Sequence, residues 1–85
     1  MPYTVYVLKS EKTGRTITGT TQDMERNLID HNSGRLEPTK ADRPMRLVHF
    51  EVYGTSQEAS RRERELRTTR GRDDLRKLLG SALGQ

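Results

Sequence analysis

The sequence predicts an α+β fold in which a small antiparallel three-stranded sheet is flanked by three helices, in the order ββαβαα. Three observations predict it. Two short runs with β-branched content, 3–9 and 15–20, flank the turn signal Glu11-Lys12-Thr13-Gly14. A third alternating run covers 46–53. Helix start signals follow the second and third runs, at Thr21 and at Thr55-Ser56-Gln57-Glu58.

In the first run Tyr3, Val5 and Val7 alternate with Thr4, Tyr6 and Leu8. Gly14 can supply the left-handed residue of the hairpin loop. A turn centred on residues 12–13 sets Tyr6 opposite Gly19 and Leu8 opposite Ile17, all on one face. Thr21 is expected to cap a helix beginning at Gln22, with Asp23 and Glu25 at the positive end of its dipole. Met24, Leu28 and His31 form its inner stripe, and Gly34 ends it. Residues 33–44 carry serine, glycine and two prolines and read as a surface loop. In the third strand Val48, Phe50 and Val52 point one way, and Leu47, His49, Glu51 and Tyr53 the other, with His49 read as a surface residue.

The next helix has a thin apolar stripe, Ala59 and Leu66, with Glu63 on the stripe between them. A carboxylate there either pairs with a nearby arginine or serves a metal or catalytic role. Gly71 is expected to break this helix. Asp73 and Asp74 then open a last amphipathic one through Leu75, Leu78, Leu79, Ala82 and Leu83.

Eighty-five residues suit one domain spanning 1–85. With 29% hydrophobic residues the core must be small. Cysteine is absent, which excludes disulfides and thiolate metal sites. No apolar run approaches membrane-spanning length, so a cytoplasmic protein, monomeric or weakly dimeric and not membrane-bound, is the default expectation. The net charge of +4 favours anionic partners, nucleic acid first. Arg61, Arg62, Arg64, Arg67, Arg70, Arg72 and Arg76 lie in one stretch. They could contact phosphates, or form a solvated face laced with Glu58, Glu63 and Glu65.

As a set these residues resemble the GIY-YIG nuclease superfamily, most closely its small single-domain bacterial members, from residue 3 to about 79. Thr4-Val5-Tyr6 stands at the GIY position and Ile17-Thr18-Gly19 at the YIG position. Thr21, Asp23, Leu28, His31, Asn32 and Gly34 match the first helix and its exit, and Ala59, Arg62, Glu63 and Leu66 the helix bearing the family's glutamate. The resemblance implies metal-dependent phosphodiester cleavage. Glu63 would hold Mg²⁺ or Mn²⁺, and Tyr6 would position or deprotonate water. His31 would support them, and Gly19 would let the substrate backbone approach.

Two departures stand out. Ile17 replaces the second tyrosine, and Asn27 replaces the catalytic arginine. Arg26 is adjacent, but one helical step turns its side chain about 100° away. The expected protein therefore keeps a nuclease fold and binds nucleic acid, DNA as the first candidate, with cleavage lost or weakened. The phosphate-contacting residues expected are Gly19, Arg26, Arg61, Arg62, Arg64, Arg67, Arg70 and Arg72. A working endonuclease using Tyr6 and Glu63, and a non-enzymatic interaction module, are the alternatives.

Overall fold

The computed structural model describes residues 1–34 and 40–79. Its elements are β1 (Tyr3–Ser10), β2 (Thr16–Thr21), α1 (Met24–Asn32), β3 (Met45–Tyr53), α2 (Ser56–Arg67) and α3 (Thr69–Leu79). The sheet is antiparallel with order β2-β1-β3, so the first strand is central. Of the expected loop, residues 35–39 lie outside the described residues.

β1 takes the centre because its apolar run Val5–Leu8 is buried on both faces. Val5 and Val7 pack with Ala59, Leu66 and Leu75, which seats α2 and α3 on one side. Tyr6 and Leu8 pack with Met45, Ile17, Met24, Leu28 and Leu47, which seats α1 on the other. The hairpin register pairs Tyr6 with Gly19 and Leu8 with Ile17, as expected. Ser10 organises the turn: its Oγ accepts from the backbone amides of Lys12 and Thr13, while Gly14 (φ 79°) closes it.

Three local expectations are corrected. Helix α1 starts at Met24, capped by Asp23, whose carboxylate accepts from the Arg26 amide at 3.0 Å. Thr21 remains the last residue of β2. In β3 a bulge sets Val7 against His49 but Leu8 against Leu47, so Val48 is the extra residue. Val48 consequently turns to the Val5–Val7 side, and Leu47 joins the Tyr6–Leu8 side. Finally, Gly71 does not break a helix; it lies inside α3. The break is Thr68, in extended conformation, whose Oγ1 donates to the Glu65 carbonyl and accepts from the Gly71 amide. Gly71 is needed for closeness, because a Cβ there would fall 1.9 Å from the Glu65 carbonyl oxygen. Along α3, Leu75 is buried but Leu78 is 65% exposed. The Leu79 side chain, Ala82 and Leu83 lie outside the described residues.

His49 is also not a plain surface residue. Its Nε2 lies 2.7 Å from Glu51 Oε2, and Tyr53 donates to the same carboxylate at 2.6 Å. Arg62 adds two bonds to it, at 2.8 and 3.1 Å, and so ties α2 to β3. Burial alone would raise the Glu51 pKa, but the hydrogen bonds from Arg62, His49 and Tyr53 outweigh it and hold the group at about 2. A carboxyl held below its unfolded value of 4.5 adds stability above that pH. The gain disappears as pH falls from there through about 2. Glu51→Gln is expected to cost on the order of 3 kcal/mol at pH 7. The deficit should shrink steadily between pH 4.5 and about 2 in denaturant melts, as the parent carboxyl protonates.

Candidate functional site

The site gathers around one phenol. Tyr6 is held in the central strand, and its ring crosses the neighbouring strand above Gly19. A Cβ on residue 19 would fall 2.5 Å from Tyr6 Oη, so only glycine admits the ring there. The inner stripe of α1 brings His31 to the same place. Its Nε2 lies 3.3 Å from Tyr6 Oη, and the two rings meet edge-on with centroids 6.0 Å apart.

Burial sets the protonation of both groups. It raises the Tyr6 pKa, an effect the negative charge of Glu63 reinforces and an Asn27 hydrogen bond and the Arg67 charge oppose. The phenol therefore stays protonated through neutral pH. Burial lowers the His31 pKa despite Asp30 nearby, so the imidazole is neutral at pH 7. A protonated phenol beside a neutral imidazole can orient a water molecule and share its proton.

Asn27, one turn before His31, faces the phenol from α1. Its side chain works against the rise in the Tyr6 pKa, and its Oδ1 is buried without a hydrogen-bond partner. A neutral amide cannot present a charged donor fork to a phosphate. Ile17 packs into the apolar cluster with Leu8 and Met45.

Glu63 reaches the site from α2, close enough for its charge to act on the phenol. Its side chain is 17% exposed and pairs with Arg67 one turn on. Arg67 Nη2 also donates to the Thr18 carbonyl at 3.0 Å. The Glu63 carboxylate and the Thr18 carbonyl thus converge on one cation, the chain's own guanidinium. Those are hard oxygen donors of the kind a divalent ion of the Mg²⁺ type takes, and here Arg67 occupies them. Among the described residues no three His, Asp or Glu side chains gather round one point. Water and substrate oxygens would have to complete any shell.

The arginines disperse. Arg62 is spent on Glu51, on the sheet face opposite Tyr6, and so is not free to meet a phosphate. Arg26 pairs with Asp30 at 3.1 Å. Arg70 lines a hollow with Glu65 and Asp74, and Arg72 lines another with Gly14 and Thr16 beside the hairpin turn. Arg61 and Arg64 are exposed on α2. Sequence reading missed the anchorage of Arg67 on Thr18. The spacing of four between Glu63 and Arg67 signalled the ion pair, but nothing local signalled the strand carbonyl.

A strand-paired tyrosine over a glycine, a helix histidine and a lone glutamate from a later helix define a nuclease-type fold. Residues 2–77 match the GIY-YIG catalytic domain, and the chain belongs to that family. It is similar to UPF0213 proteins. One from Staphylococcus saprophyticus is 40% identical over 65 residues, covering 75% of this chain and 78% of that protein. One from Bacillus pumilus is 39% identical over 72 residues, covering 82% and 72%. The solution NMR structure of a UPF0213 protein from Bacillus halodurans superposes with a TM-score of 0.60 at 31% identity, covering 98% of this chain and 92% of that one.

Gly19→Ala should drive the phenol away from His31. The expected result is loss of any Tyr6–His31 cross-peak in NMR spectra and a His31 titration moved back toward 6.5, its ordinary value.

Proposed function

We propose that this chain binds nucleic acid through a GIY-YIG site whose phosphodiester cleavage is lost or strongly weakened. The single observation that carries this is Asn27: the position from which the family's arginine would face a phosphate holds a neutral amide whose Oδ1 is buried without a partner. A guanidinium stabilises the crowded, doubly charged phosphate of the transition state by charge and by a rigid pair of donors. A neutral amide supplies neither. Ile17, packed against the Leu8 cluster, supplies no hydroxyl.

What remains is suited to holding a phosphate. Arg67 is 60% exposed and stands beside the phenol, with Glu63 and Thr18 fixing it. Arg26, Arg61, Arg64, Arg70 and Arg72 add a diffuse positive field, DNA being the first candidate partner. Tyr6 and His31 can still orient water. When bound, a Mg²⁺ or Mn²⁺ ion on Glu63 would neutralise charge developing on the phosphate and the departing oxygen. That retained Tyr6–His31 contact favours a second reading, a slow endonuclease. A plasmid-nicking assay with Mg²⁺ or Mn²⁺ separates the two. Rapid cleavage by the parent that vanishes in Glu63→Ala contradicts the weakened site.

Restoring the missing groups supplies the sharper test. Ile17→Tyr with Asn27→Arg should raise metal-dependent nicking by at least about tenfold, since one transition-state group is commonly worth 10²–10³ in rate. Binding to DNA should weaken steeply as salt rises. Affinity that stays flat with salt contradicts phosphate contact.

A further inference from the structure

The face of the sheet that carries Tyr6 is only half covered. Helix α1 packs over the Leu8, Ile17, Met45 and Leu47 end. Beyond it, Phe50 lies across from Tyr6, and Val52 across from Thr4, on that same face. Both are bare: Phe50 is 57% exposed and Val52 55%. Phe50 is the chain's one phenylalanine, and tryptophan is absent. β3 is an edge strand, so among the described residues no further strand flanks Phe50 on its outer side.

The phenol leans the opposite way, over Gly19 toward β2. A row therefore crosses the sheet, from Arg67 on the Thr18 carbonyl, through Gly19 and Tyr6, to an open aromatic ring. A cation at one end and a ring at the other is the pairing that single-strand binders use. The cation follows the phosphodiester backbone and the ring stacks an unpaired base. Paired bases inside a duplex offer no face to such a ring.

We propose that Phe50, with Val52 beside it, is a stacking platform for an unpaired nucleobase, and that this makes single-stranded nucleic acid the preferred ligand of the site. The inference rests on the nucleic-acid-binding reading above and adds the form of the ligand. The occupant is a nucleic acid rather than a second copy of the chain because the chain carries a net charge of +4 and the exposed Arg67 continues the same row. A second copy would have to set like charges together.

The test compares a fluorescein-labelled 12-nucleotide single strand with its blunt duplex in anisotropy titrations at fixed salt. The parent should bind the single strand more tightly. Phe50→Ala, a change at an exposed position, should weaken single-strand binding by roughly tenfold to a hundredfold and leave duplex binding nearly unchanged. Phe50→Trp should retain affinity, and its indole, the only one in the chain, should be quenched on addition of the single strand. Duplex binding without single-strand preference, unaffected by Phe50→Ala, overturns the stacking platform and spares the broader reading. A concentration-dependent dimer abolished by Phe50→Ala, with single-strand affinity unchanged, overturns it in favour of a second copy. Failure to bind either nucleic acid overturns both.

Discussion

The Tyr6 ring can lie across β2 only because residue 19 has no side chain, and the whole site follows from that crossing. The ring fills the space above Gly19, where a Cβ would sit 2.5 Å from the phenol oxygen. Once there, the oxygen meets His31 and Asn27 from α1 on one side. On the other it meets the field of Glu63 and Arg67 from α2. Two helices packed on opposite faces of the sheet thereby act on one atom. A hairpin of ordinary strand residues could not achieve this, because each face would address only its own helix.

Helix α2 divides its charges between two tasks. Arg62 faces β3 and locks Glu51, and its hydrogen bonds, with those of His49 and Tyr53, outweigh burial and hold that carboxyl at a pKa of about 2. Glu63 and Arg67 face the β2 edge and join the helix to the Thr18 carbonyl. Successive residues on a helix are turned by about 100°, so neighbouring charges serve opposite surfaces. The first pair is structural. The second puts a positive group beside the phenol, where we propose that a phosphate binds, and it occupies the Glu63 carboxylate.

Much of this was legible in the sequence, for reasons that differ by element. The hairpin register could be read because the turn length fixes parity, and a wrong parity would bury Thr18 and Thr20 in place of Ile17. His31 could be read because Met24, Leu28 and His31 share a helical stripe. β3 could not be read fully, because the bulge at Val48 reverses parity midway and no local residue type demands it. The α2–α3 corner was misplaced onto Gly71 because glycine is a poor helix former. In the structure Thr68 turns the chain by capping, and Gly71 answers to a close carbonyl instead. The arginine run looked like one patch. Helical rotation and the Thr68 turn send its members to the sheet, the β2 edge and the hairpin loop.

The convergence of Tyr6 with Glu63 is measured most directly by titrating the phenol. Carbon-13 labelled at the tyrosine ζ position reports each phenol by NMR, and Tyr6→Phe assigns the signal. The structure requires the Tyr6 pKa to stand above the ordinary value of 10.0, and to fall in Glu63→Gln as that negative charge is removed and Arg67 is left unpaired. A Tyr6 titration at the ordinary value, unmoved by Glu63→Gln, would mean that the two groups do not share a site.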